Sequence, residues 1–171
     1  MDIGSLFTRH AKYRPDHLAF VFEDRRLTWL ELNKSINRLA NAMRDLGVQK
    51  GDKVATILPN SLELFETLWA VAKIGGVVVP LSALLLEQAM KSLLQDSDTV
   101  LLITNSNFVK NINAIKSELP AIAEDRYLLT DRPDTPGYQD YHALKAAASD
   151  QNPQGIDIGY ARMWLKPLDM A

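Results

Sequence analysis

Apolar residues recur at Leu32, Ile36, Leu39, Met43 and Leu46. This 4-3-4-3 spacing draws one continuous stripe along a helix. Thr28, followed three residues later by Glu31, forms a capping box at its start: hydroxyl and carboxylate satisfy two orphan N–H groups reciprocally. Gly47 stands where a left-handed residue would end the helix.

The same pattern, read along the chain, alternates short apolar runs with helical spacing. Phe20-Val21-Phe22 and Leu27-Thr28-Trp29 predict two short strands, with Asp24-Arg25-Arg26 as the turn between them. Val54 to Leu58 predicts a strand closed by Pro59, and Asn60 or Ser61 caps a helix over 62–74. That helix is apolar nearly all round, which implies burial on more than one side. Gly75-Gly76 ends it, and Val77-Val78-Val79 is a buried β-branched strand. Leu86, Met90, Leu93 and Leu94 predict a further helix, and Thr99 to Ile103 a strand. Ser106 is read as the cap of a helix carrying Val109, Ile112 and Ile115, with Pro120 beyond its end. Tyr127 to Leu129 predicts a strand, and 138–148 a last helix after the Pro133–Gly137 loop. Strands alternating with helices imply an α/β fold with a mostly parallel, helix-covered sheet and right-handed crossovers.

Composition narrows the function classes. The 171 residues carry 19 Lys+Arg against 21 Asp+Glu, a net charge of −2 with no basic run longer than Arg25-Arg26. That balance gives no electrostatic footprint for nucleic acid. There is no cysteine, hence no disulfide, thiolate metal site or thiol nucleophile. The most apolar region, 62–86, is broken by Glu63, Glu66, Lys73, two glycines and Pro80. It falls short of the about 20 nearly uncharged residues of a membrane span. The expectation is a cytoplasmic protein with no membrane span.

Catalytic motifs are scarce. No Gly-rich phosphate loop leads from a strand into a helix; Gly75-Gly76 stands in the opposite order. His10, His17 and His142 form no ligating pair, and Asp96 with Asp98 lacks the further carboxylates of a cation site. Trp29 and Trp69 occupy apolar positions and read as core. One position stands out. Ligands of open parallel sheets bind beyond the carboxyl ends of the strands, where Pro59, Asn60 and Ser61 lie. Asn60 and Ser61 are therefore the ligand-contact candidates, with helix capping the competing explanation; no catalytic, cofactor-binding or metal-ligating residue is assigned.

The order of these segments resembles the amino-terminal region of the adenylate-forming (AMP-binding) enzymes, a superfamily that includes acyl-CoA synthetases, peptide synthetase adenylation domains and luciferases. The resemblance is carried by Leu27-Thr28-Trp29 with Glu31-Leu32, by Leu46-Gly47-Val48, and by Gly51-Asp52 with Val54-Ala55. Leu58 with Asn60-Ser61, Ala72-Lys73-Ile74-Gly75-Gly76 with Val79-Pro80-Leu81, and 98–104 continue it. Within the superfamily these segments resemble those of bacterial fatty-acyl or aryl CoA ligases. Ser82-Ala83 departs from the Asn-Pro of many members.

The resemblance implies an amino-terminal lobe over 1–158 and a non-family tail over 159–171. Family members are far longer, and their phosphate loop, ending in Pro-Lys-Gly, has no counterpart in that tail. Intact members form an acyl-adenylate from ATP and an acid, with magnesium, and then transfer the acyl group to CoA. The resemblance thus implies a truncated ligase lobe, inactive alone and needing no cofactor by itself. Two alternatives stay open: half of a split enzyme awaiting a complementary carboxy-terminal half, or a non-catalytic binding or self-associating module.

Overall fold

The computed structural model describes residues 5–154. The 158/159 boundary and the tail lie outside the described residues. In chain order the elements are α1 (Ser5–Tyr13), β1 (Leu18–Phe22), β2 (Arg25–Thr28), α2 (Trp29–Asp45), β3 (Lys53–Ile57) and α3 (Leu62–Lys73). They continue with β4 (Val77–Pro80), α4 (Glu87–Asp96), β5 (Thr99–Thr104), α5 (Val109–Ile115), β6 (Tyr127–Leu129), β7 (Gln139–Asp140) and α6 (Tyr141–Ala147).

The capping box forms as the spacing predicts. Thr28 Oγ1 accepts from the Glu31 N–H, and the Glu31 carboxylate accepts from the Thr28 N–H at 2.8 Å. At the other end Gly47 has φ +84°. Its N–H donates to the Arg44 carbonyl, and that of Val48 reaches back to Met43. This pair of bonds is a Schellman closure. The end of α3 repeats it: Gly75 has φ +72°, its N–H donates to Ala72, and the Gly76 N–H donates to Val71.

Five strands form a wholly parallel sheet in the order β4-β3-β5-β6-β7. Side chains alternate across it. Val54, Leu58, Leu101, Ile103 and Leu128 join one cluster with residues of α1, α2, α3 and α6. Ala55, Ile57, Leu102 and Tyr127 join another with Met90 and Leu94 of α4 and Ile112 and Ile115 of α5. Helices thus cover both faces, which is why the central strands read as unbroken apolar runs. The hairpin β1-β2 is a separate antiparallel pair. Its Phe20 packs on Phe65, and Phe7 of α1 packs on Trp29, Phe65 and Trp69. Trp29 and Trp69 are therefore half-buried core residues, as expected.

Five local expectations are corrected. Val77-Val78-Val79 is not a buried strand: β4 stands at the edge of the described sheet, none of its residues is buried and Val77 is 49% exposed. Trp29 opens α2 instead of ending a strand, because the capping box makes Thr28 the last extended residue. The hairpin turn is Glu23-Asp24, and Arg25-Arg26 belong to β2. Ser106 does not cap α5: it opens a 3-10 turn, Ser106–Phe108, that Asn105 caps by accepting from the Asn107 N–H, and α5 follows from Phe108 with no side-chain cap. The last helix begins at Tyr141, because the Asp140 carboxylate accepts from the His142 N–H and Gln139-Asp140 pair with β6.

Candidate functional site

The strand order places a topological switch in the sheet. From β3 the chain leaves through α3 toward β4 on one side. From β5 it leaves through α5 toward β6 on the other. Adjacent strands whose connections part in this way open a crevice at their carboxyl ends, the usual ligand position in such sheets. By that rule the crevice of this sheet lies between Pro59-Asn60-Ser61 after β3 and Asn105-Ser106 after β5. Thr104 Oγ1 holds the two strand ends together by donating to the Ile57 carbonyl at 3.1 Å.

The two candidate residues part company there. Ser61 Oγ accepts from the Leu64 N–H at 3.1 Å and is the cap of α3. Asn60 is exposed at the crevice mouth. Ser106 donates through both its N–H and its hydroxyl to the Asp131 carboxylate, at 2.8 and 2.7 Å, which fixes the turn after β5 to that after β6. Its hydroxyl is thereby engaged in holding structure.

An acidic rim, not singled out in the sequence, stands beside the capped end of α3. Glu63 lies in the first turn of that helix and accepts from Arg25 of β2 at 2.6 Å. His142 Nε2 lies 4.0 Å from the same carboxylate oxygen and 2.9 Å from the Thr130 carbonyl at the end of β6. A carbonyl only accepts, so Nε2 carries a proton in this arrangement. Burial pushes the Glu63 carboxyl up. The Arg25 hydrogen bond, a backbone N–H, and the charges of Arg25 and His142 outweigh that and hold it below its ordinary value. Only contact across three elements reveals this group; in sequence Arg25 and Glu63 are 38 positions apart.

The rim does not fit a magnesium–nucleotide site. The carboxylate of Glu63 is occupied by Arg25, and among the described residues no group of three His, Cys, Asp or Glu is placed to hold a metal ion. His10 stacks on Trp29 at 4.3 Å, and His17 is exposed. Asp96 ends α4 and Asp98 takes the left-handed turn before β5, so both serve backbone geometry. Among the described residues no helix is long and apolar enough to cross a membrane.

Comparison with known proteins gives the fold its relatives. The chain is 42% identical over 93 residues to crotonobetaine/carnitine–CoA ligase of Escherichia coli, covering 54% of this chain and 18% of the ligase. It is 32% identical over 126 residues to gramicidin S synthase 2 of Brevibacillus brevis, covering 74% of this chain and 3% of that protein. Among solved structures, an anthranilate CoA ligase bound to anthranoyl-AMP superposes with a TM-score of 0.84 at 21% identity, over 91% of this chain and 30% of the ligase. A fatty acyl CoA synthetase of Mycobacterium tuberculosis superposes with a TM-score of 0.73 at 28% identity, over 90% and 30%. The chain therefore spans less than a third of these proteins' lengths. The match to the AMP-binding enzyme family runs over residues 7–170. With its switch-point sheet and the ordered motifs from Thr28 to Leu81, the chain belongs to the AMP-binding enzyme family, as an amino-terminal region of its acyl-CoA ligase fold.

Proposed function

We propose that this chain is the scaffold lobe of an acid–CoA ligase and has no adenylating activity by itself. The observation that carries the reading is the occupied rim: the Glu63 carboxylate is taken up by Arg25 with His142 beside it, and that of Asp131 by the Ser106 N–H and hydroxyl, so neither faces a ligand. Forming an acyl-adenylate needs preorganised positive charge where the phosphates gather negative charge. In this reading that charge, together with ATP, magnesium and CoA, is brought by the remainder of a larger enzyme. The lobe supplies one wall of the ligand site, with Asn60 as its polar contact.

The test is acid-dependent ATP–pyrophosphate exchange by the pure chain across fatty and aryl acids. The expected rate is that of the buffer; reproducible exchange overturns the proposal. Titrating an acyl-adenylate analogue into isotope-labelled chain tests the contact separately. Shifts at the Asn60 side-chain amide support it, and an unmoved amide removes it.

A second reading has its own observation. Leu84 is 91% exposed and Leu86 78%, in the segment just after the sheet-edge strand β4. An apolar segment beside an open strand edge favours covering by another polypeptide. That is the arrangement of a split enzyme or of a self-associating module. Sedimentation at rising concentration separates these readings: self-association favours the module, and a monomer leaves the surface for a complementary half.

A further inference from the structure

The chain leaves the described lobe through an extended strap after α6, residues 149–152, and one face of α2 grips it. Asn37 and Asn41, one helical turn apart, donate to its backbone carbonyls. Asn37 Nδ2 reaches the Asp150 carbonyl at 2.8 Å, and Asn41 Nδ2 reaches those of Ser149 and Gln151 at 2.8 and 2.9 Å. Lys34 stands 3.4 Å from the Asp150 carboxylate and Arg38 4.0 Å. Asn33, a turn earlier, completes a row at i, i+4 and i+8, spacing that keeps side chains on one helix face.

Beneath the strap lies Lys73, the last residue of α3 and only 5% exposed. A lysine is seldom buried to this degree unless its charge is compensated. Its three N–H groups are spread over four oxygens: Asn33 Oδ1 at 2.7 Å, Asn37 Oδ1 at 2.5 Å, and, sharing one proton, Thr8 Oγ1 of α1 at 3.1 Å and Asn152 Oδ1 of the strap at 3.2 Å. One cation thus draws together three helices and the departing chain. Three of these partners are amide oxygens, which repel one another without it.

We propose that Lys73 and the asparagine row of α2 form a clasp that fixes where the chain leaves the lobe, so that whatever follows Gln154 starts from a set position. The inference rests on the reading of the chain as a lobe of a larger enzyme, but its test needs no activity, so either can fail alone. Asn37 and Asn41 read backbone carbonyls and would hold any extended segment. Register is set by the two strap side chains: Asp150 faces Lys34 and Arg38, and Asn152 Oδ1 accepts from the Thr8 hydroxyl at 2.8 Å and from Lys73 at 3.2 Å.

Because the chain has no cysteine, a nitroxide on Gln154→Cys reports the strap alone, and one on the exposed Lys110→Cys of α5 reports the lobe. Asn41→Ala removes two hydrogen bonds from a half-buried polar side chain and leaves the apolar core intact. It is expected to raise the mobile fraction at 154 about 5–30-fold, the equilibrium weight of two such bonds. Lys73→Met and Asn152→Ala are expected to act in the same direction, and the Lys110 label to stay unchanged. A label at 154 equally mobile with and without Asn41→Ala overturns the clasp. So does parallel loosening at 154 and 110, which would make the effect global. If Lys73→Met does not fold, Asn41→Ala and Asn152→Ala decide the matter.

Discussion

Glu66 has no exposed surface, yet it carries a carboxylate in the middle of α3. Ser35 of α2 donates to one oxygen; Tyr141 at 3.0 Å and Lys145 at 2.7 Å, both of α6, donate to the other. The group therefore ties three helices on one face of the sheet. Removing one partner of a buried pair strands a charge, so Lys145→Met should lower unfolding free energy by about 3–5 kcal/mol. Lys91→Met breaks the pair with Glu118, which is 52% exposed, and should cost under about 1 kcal/mol. Urea unfolding of both variants checks the contrast, and equal losses would contradict it. The Glu63 rim makes a prediction in pH. Its folded carboxyl titrates below its ordinary 4.5, so the stability it contributes is present above that value and is lost as pH falls through the folded one. Arg25→Ala removes two of the lowering causes. The Glu63 midpoint in a carbon-detected NMR titration should then rise, and the acid dependence linked to this group should flatten. An unmoved midpoint would show that the pair is not made in solution.

Elements were legible where a local rule acts without help from the rest of the chain. The start of α2 was readable because Thr28 and Glu31 satisfy each other's backbone, and its end because Gly47 accepts φ +84°. Thr28→Ala should cost about 1 kcal/mol. Gly47→Ala should cost roughly 1–2 kcal/mol through the left-handed conformation. The nearest atom to its new Cβ, at 2.8 Å, is the far end of the Arg126 side chain, which can move aside. Gly76→Ala differs in kind. Its Cβ would stand 2.9 Å from Val71 and 3.2 Å from the Asp52 carbonyl, the acceptor of the first β4 hydrogen bond. Amide exchange over Val77–Val79 should quicken in Gly76→Ala and stay unchanged in Gly47→Ala; protection retained in both would contradict this. What escaped notice depends on distant partners. Helix α1 has nine residues and buries only Phe7 and Ala11, so it stands by packing on α2 rather than by its own pattern. Strand β7 is two residues long with no apolar side chain. Lys73 read only as a charge interrupting an apolar stretch, and nothing local announces that Asn152 closes over it.

At the scale of the whole molecule, the alternation of strands and helices was enough to predict a parallel sheet, but the strand order was not predicted. Order is set by which face each crossover packs on. The helices that follow β3 and β5, α3 and α5, lie on opposite faces, and that divergence is what opens the crevice beside Asn60. It also makes β3 and β5 the shared floor of both apolar clusters: Val54 and Leu101 point one way, Ala55 and Leu102 the other. The two clusters should therefore unfold together. Trp29 and Trp69 both pack in the first cluster, so with Trp164→Phe as background, tryptophan fluorescence reports that side alone. Leu94 is 1% exposed in the second cluster, and Leu94→Ala should lower stability by about 2–5 kcal/mol. If the sheet couples the faces, that loss appears undiminished in tryptophan fluorescence, and the transition coincides with the one seen by circular dichroism. A fluorescence midpoint unmoved by Leu94→Ala would mean that the α4–α5 face melts as its own unit. In that case the crevice between β3 and β5 could not keep its shape when one wall loosens.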